Sequence, residues 1–179
     1  MTATIETNRL TLRPMRADDC ARVVALLGDW DVVKTLSRVP HPYTSQSFEA
    51  WQGGQQAGFD AGTDFPFAIE EPHAGVVGCV GTHLREDGAF ELGYWLGKAS
   101  WGLGFATEAG HGLLAWMQGE RPSAHFKASH FEDNPASGRV LEKLGFVYTG
   151  ETLTVDSLAR GHSVAARAMI YAPTRKERP

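Results

Sequence analysis

The sequence predicts an α/β (α+β) domain, in which a mixed, mostly antiparallel sheet of six to seven strands carries helices on both faces. Three observations lead there. Apolar residues recur at helical spacing in the first third of the chain, and from Asp64 the pattern changes to period two. The links between the next strand-like runs, such as Glu86–Asp87–Gly88, are too short for crossovers, so those neighbours are antiparallel. The run Phe90–Leu96 then leads through a glycine turn and a helical stretch to another strand, an order that makes one parallel pair.

The elements follow in order. Asn8–Met15 alternates Leu10, Leu12 and Pro14 with Arg9, Thr11 and Arg13 and reads as a strand. Asp18 or Asp19 caps a helix whose apolar face is Cys20, Val23, Val24 and Leu27. Asp29–Trp30–Asp31 starts a short helical piece through Leu36, which Pro40 and Pro42 break. Thr44 or Ser45 caps a helix carrying Phe48 and Trp51 that runs out near Gly53–Gly54 or Gly58. Phe65–Glu70, Val76–Leu84 and Ala89–Leu96 read as strands. Ala106–Gln118 reads as a helix with Ala109, Leu113, Leu114 and Met117 on one face. His125–Phe131 is a strand, and Pro135 opens a helix that Gly145 stops. Phe146–Thr154 and Val164–Tyr171 close the sheet, and Thr174–Pro179 reads as a frayed, charged tail. There is no repeat or linker, so residues 1–179 are expected to form a single domain with an ordered core over about 8–172.

Composition narrows the function. The 179 residues are 42% hydrophobic and 21% charged, with a net charge of -4. A nucleic-acid binder would show a basic patch, and none is visible. No apolar run is long enough to span a membrane, and no signal pattern opens the chain, which points to the cytoplasm. Cys20 and Cys79 read as free thiols in a reducing compartment. The histidines are scattered singly, without metal-ligand spacing, so no metal is expected.

The chemistry gathers around Trp101–Gly102–Leu103–Gly104–Phe105–Ala106–Thr107–Glu108–Ala109. A strand, a glycine turn and a helix N-terminus together make an anion site. Unpaired backbone N–H groups and the positive end of the helix dipole face the same point, and glycine lets the ligand come close. A P-loop would need a lysine after its last glycine, and there is none. A dinucleotide fingerprint would need a third glycine where Thr107 stands, within a parallel unit.

Three segments resemble the GNAT superfamily of acetyl-CoA-dependent N-acetyltransferases. Gly104 and Ala106 match its pyrophosphate loop, Gln/Arg-x-x-Gly-x-Gly/Ala, with Trp101 replacing the Gln/Arg. Asn134–Pro135–Ala136–Ser137, followed by Val140–Phe146, is the second segment, and the opening Thr7–Pro14 is the third. All three are similar to the subgroup named for ribosomal-protein N-terminal (alpha-amino) acetyltransferases, in which Trp-Gly-x-Gly-aromatic-Ala-Thr-Glu-Ala is common.

The resemblance implies a GNAT-like sheet with a V-shaped splay, and acetyl-CoA as acetyl donor. Gly102, Leu103, Gly104, Phe105, Ala106 and Thr107 would cradle the pyrophosphate. Backbone groups of Tyr94, Trp95 and Leu96 would bond the pantetheine arm as an added strand would. One of those N–H groups would face the thioester oxygen. Asn134 would bond the CoA arm, and it also suits a helix N-cap. Many relatives carry a tyrosine seven residues after that asparagine as proton donor to the CoA thiolate. Leu141 stands there, and Ser137 is the subgroup's substitute, although a first-turn serine needs no catalytic role.

Ser129 occupies the position from which some relatives supply a base. Glu91 is the first candidate base, with His83 and His130 behind it, and each also suits an ordinary strand residue. Tyr43 and Trp30 are candidate acceptor-site walls, with core packing as the alternative. The expected reaction is direct acetyl transfer to a primary amine in a ternary complex, the amine being a protein N-terminal alpha-amine. A free alpha-amine has a pKa of about 8, so a useful fraction is neutral near pH 7 and needs only a modest base. The alternatives are acetylation of a small-molecule amine, or a non-catalytic acetyl-CoA/CoA-binding sensor, which the missing tyrosine and base would suit. The oligomeric state stays open, a homodimer included.

Overall fold

The computed structural model describes residues 3–172, and the expected tail Thr174–Pro179 lies outside them. The elements run β1 (Ile5–Glu6), β2 (Thr11–Arg13), α1 (Cys20–Leu27), α2 (Trp30–Val33), α3 (Ser45–Ala61), β3 (Asp64–Glu71), β4 (Gly75–Leu84) and β5 (Phe90–Leu96). They continue with α4 (Phe105–Glu120), β6 (Phe126–Phe131), α5 (Pro135–Leu144), β7 (Phe146–Ser157) and β8 (His162–Tyr171). One sheet takes the order β1-β2-β3-β4-β5-β6-β8-β7. All neighbours in it are antiparallel except β5 and β6, the pair joined through α4.

The mixed sheet with helices on both faces is the expected architecture, and three details differ. The sheet has eight strands, because the opening strand is a hairpin of β1 and β2 turning at Thr7–Leu10. α3 continues through Gly53, Gly54 and Gly58 and stops at Gly62, whose φ is +72°. Each interior glycine costs a helix roughly 1 kcal/mol relative to alanine. Phe48 at one end and Phe59 at the other anchor α3 in two separate cores, and tertiary packing overrides the local preference. Asp19 does not cap α1 directly. It ends a 3-10 turn, and its carboxylate accepts from Arg13 at 2.8 and 2.9 Å and from the Arg16 N–H.

Alternation along the strands explains the two cores. Phe65, Phe67, Ile69, Leu92 and Leu96 point to the face covered by α4 and α5, where they meet Leu113, Leu114, Met117, Leu141 and Leu144. Ala68, Cys79 and the half-buried Trp95 point to the other face, against Val23, Leu27, Val32, Tyr43 and Phe48. A fully buried Leu, Met or Phe contributes about 1.5–3 kcal/mol, so each face is held by its own apolar layer. A buried ion cluster closes the edge, where Arg13 bonds both Asp19 and Glu70.

Candidate active site

The feature that makes the site is a failure of pairing. β5 and β6 share only two register pairs, Phe90 with Phe126 and Glu91 with Lys127, before they diverge. The Phe90 N–H donates to the His125 carbonyl at 2.8 Å, across to the β6 side. By alternation the backbones of Leu92, Tyr94 and Leu96 face that same side, while Glu91, Gly93 and Trp95 face β4. The backbones of Tyr94 and Leu96 therefore line a wedge that β6 has left. The Leu96 carbonyl is taken by the Trp101 indole N–H at 2.8 Å, which pins the following loop to the end of β5. This is what the tryptophan does at the loop's first position.

That loop ends at an open helix terminus. Gly102 and Gly104 have φ of +74° and +82°, a backbone state that side-chain-bearing residues rarely adopt. Gly104 is the N-cap of α4, and no side chain caps the helix. The contrast with neighbouring helices is informative. Asp29 caps α2, Thr44 caps α3 and Asn134 caps α5, each through a side-chain oxygen. The first N–H groups of α4, on Phe105, Ala106 and Thr107, are left facing outward at the positive end of a 16-residue helix.

A long-range clamp holds this end. Glu108 accepts from the Thr7 hydroxyl at 2.7 Å and from the Arg9 backbone N–H and Nε at 2.6 and 2.7 Å. Arg9 also donates to the Leu103 carbonyl at 3.0 Å and lies over the Phe105 ring. Burial alone would push the Glu108 carboxyl up, but the bonds from Thr7 and Arg9 outweigh it and hold it below its usual range. The opening segment of the chain is thus part of the anion loop, and it adds a half-exposed guanidinium beside it.

A cleft of about 590 Å³ runs from the loop before α3, across β4 and β5, through the wedge to the start of α5. Tyr43, Glu91, Tyr94, Trp95, Asn134 and Ser137 all line it, so the fold brings most of the candidate site residues together. Leu96 and the loop 102–107 lie outside that lining, at the anion site beyond the end of β5. Trp30 is elsewhere. Its ring is 46% exposed, packs edge-on against His41 and borders a separate depression with Lys34, Asp133, Arg160 and His162.

Several polar groups of the cleft are already engaged. Ser137 Oγ lies 2.8 Å from the Tyr94 hydroxyl, which also donates to the Ser137 carbonyl at 2.9 Å. Burial pushes the Tyr94 phenol up to about 12, with the Ser137 bond opposing. Asn134 caps α5 by accepting from the Ser137 N–H at 3.2 Å. Glu91 is ion-paired with Arg85 across the β4–β5 turn. His130 is buried, its Nδ1 2.8 Å from the Phe131 carbonyl and its Nε2 3.0 Å from the Tyr148 hydroxyl. The carbonyl can only accept, so Nδ1 donates to it, and Nε2 is bonded to the Tyr148 hydroxyl. His83 Nδ1 lies 3.2 Å from Asp64, without hydrogen-bond alignment. Burial raises Tyr43 to about 12, so it presents a neutral phenol.

The side chain of Tyr94 is the residue that sequence reasoning did not single out, having considered only its backbone. Its proximity to Ser137 follows from the sheet and α5 meeting across 43 positions, and no local pattern signals that.

The comparisons agree with this geometry. A family model described as an acetyltransferase (GNAT) domain matches residues 9–147. A Bacillus licheniformis protein described as an uncharacterized N-acetyltransferase, p20, is 29% identical over 150 residues, covering 82% of this chain and 84% of its own. Two solved structures share the fold. One is a ribosomal-protein-S5-alanine acetyltransferase from Vibrio fischeri, with TM-score 0.76, 16% identity and coverage of 99% and 100% of the two chains. The other is the microcin C7 self-immunity acetyltransferase in complex with acetyl-CoA and AMP, with TM-score 0.79, 16% identity and coverage of 92% and 93%. With the splayed strands, the uncapped helix and a family match over most of its length, the chain belongs to the GNAT acetyltransferase family.

Proposed function

We propose that this acetyl-CoA-dependent acyltransferase acetylates a primary amine, and that the amine is the N-terminal alpha-amine of a peptide or protein. It would act in the cytoplasm as a single domain. The observation that carries the reading is the wedge between β5 and β6, with the uncapped α4 at one side and a deep cleft at the other. The loop 102–107 suits the CoA pyrophosphate, and the backbone edge of Tyr94 with the N–H of Leu96 suits the amide-rich pantetheine arm.

In this reading the residues divide the work. The β5 backbone fixes the thioester, and an N–H of the wedge faces its oxygen, where negative charge develops during transfer. Ser137 donates a proton to the departing sulfur, and the Tyr94 phenol, bonded to both its hydroxyl and its carbonyl, fixes the serine's position. Glu91 does not serve as a base while Arg85 holds it, and His130 has both nitrogens engaged. An acceptor that is partly neutral by itself suits such a site, which favours an alpha-amine, at a pKa of about 8, over a lysine side chain at about 10.4.

The test is thiol release from acetyl-CoA with a panel of peptides bearing free N-termini, their N-blocked lysine counterparts and small amines. The expected result is turnover concentrated on the free N-termini. Ser137→Ala should lower kcat by about 10²-fold, in the range of general-acid catalysis, with little change in acetyl-CoA affinity. Preference for the lysine peptides would sink the acceptor assignment, and an unchanged kcat in Ser137→Ala would sink the role of the serine.

A further inference from the structure

The two glycines in the interior of β4 have a packing reason. A Cβ at Gly78 would lie 2.1 Å from the Trp95 carbonyl oxygen, and one at Gly81 would lie 3.0 Å from the Pro66 Cα. Gly93 has none. It is exposed in the middle of β5, its φ is outside the left-handed region, and a Cβ there would meet no heavy atom within 4 Å. Neither conformation nor contact requires glycine, and glycine in a strand interior weakens it. The space above Gly93 belongs to the cleft.

Its position is specific. By alternation the missing side chain would project on the same face as Glu91 and Trp95, toward the α1–α3 layer and away from α4. Two residues beyond the last β5–β6 pair, Gly93 and Ser129 are the next positions on the same face of the two diverging strands, at the start of the wedge. The empty volume therefore sits on the acceptor face, beside the place where the wedge opens.

We propose that Gly93 is a specificity-determining residue: the space above its Cα seats the substituent on the amine-bearing carbon of the acceptor, which admits alpha-amines of peptides. This rests on the acetyltransfer reading and names its acceptor class. An unbranched amine leaves the seat empty, whereas the first residue of a peptide fills it with its side chain or carbonyl arm. A side chain at position 93 then competes with the branched acceptor alone.

Two variants test this. Gly93→Val fits the strand, since a β-branched residue suits extended backbone and its Cβ meets no heavy atom within 4 Å, so Tm should stay level or rise. Against a peptide with a free N-terminal alanine its kcat/KM should fall at least about tenfold, and against n-hexylamine less than about threefold, with acetyl-CoA affinity unchanged. Equal losses on the two amines, or no loss on the peptide, would overturn the proposal. The second arm needs no acceptor. In a Cys20→Ser background, with Cys79 buried and its thiol pushed up to about 12, Gly93→Cys should react readily with a bulky maleimide near pH 7. The labelled protein should still bind acetyl-CoA. An unreactive thiol, or labelling that abolishes acetyl-CoA binding, also overturns it, the latter by putting the seat on the donor side. Wild-type protein that turns over neither amine would refute the alpha-amine function itself, and the labelling arm would still decide whether the seat exists.

Discussion

From Leu96 to Thr107 the proposed donor site is a single stretch of chain, shaped by two glycines at positive φ and presenting backbone groups. The proposed acceptor side is assembled from separated pieces, the loop before α3 and the middles of β4 and β5, with the β7–β8 turn held against that loop. That turn is tied to the loop by backbone acceptors. Ser157 Oγ donates to the Leu36 carbonyl, the Leu158 N–H to Ser37, and Arg160 Nε to Lys34. A ligand common to a whole family meets backbone, which sequence divergence cannot alter, and the variable ligand meets side chains and loops that can change singly. The difference predicts that donor binding and acceptor choice are separable by mutation.

The largest effect expected on the donor side is Gly104→Val. A left-handed backbone costs a side-chain-bearing residue about 1–2 kcal/mol, and a β-branched one sits at the upper end. Relaxing that strain moves the Phe105–Thr107 N–H groups, so CoA should bind about thirtyfold more weakly by calorimetry. The preference between peptide and n-hexylamine, read at saturating acetyl-CoA, should not move. A Gly104→Val protein with wild-type CoA affinity would show that the α4 terminus is not the pyrophosphate cradle.

These two halves also differ in how far the sequence discloses them. Gly102, Gly104 and the helix after them are contiguous, and a glycine turn before an amphipathic helix has a local physical meaning. The apposition of Pro66, Gly81 and Gly93 exists only once register is set, because it needs three strands paired in phase. The same reason hides the Tyr94–Ser137 contact and the Thr7–Arg9 clamp on Glu108, about a hundred positions away. β1 was illegible because two residues carry no periodicity, and the length of α3 because exposed glycines say nothing about Phe48 and Phe59 packing at its ends. Trp30 shows the opposite error, since an aromatic in the right segment faces out of the cleft.

Arg9→Met gives a smaller, sharper test of the clamp. Methionine keeps an apolar stem over Phe105 and removes the Nε bond to Glu108 and the bond to the Leu103 carbonyl, while the bonds from Thr7 and from the position-9 backbone N–H remain. The guanidinium is nearly half exposed, so solvent screening holds its worth to about 1 kcal/mol. CoA affinity should fall roughly fivefold, with acceptor preference again unmoved. A change in acceptor preference instead would mean that the halves are coupled through α4.

Acid supplies the smallest effect and the one that isolates the carboxylate. The Glu108 carboxyl is held below its usual range in the folded protein. A depressed folded pKa means stability that is present above the unfolded value, about 4.3, and lost as pH falls through the folded value. Wild type and Arg9→Met should therefore differ in Tm by a constant amount near neutrality, and the gap should narrow below about pH 4 as Glu108 protonates. It should not close, because the Leu103 bond and the ring contact do not titrate. A second carboxylate, Asp31 on α2, lies outside the cleft and is held at about 2 by Lys34 and Lys98. That group is fully exposed, and water screens it, so Asp31→Asn should leave the pH dependence of Tm nearly unchanged. If Asp31→Asn flattens the acid limb and Arg9→Met leaves it intact, the titrating tie lies on α2, and the clamp does not set the rigidity of the 102–107 loop.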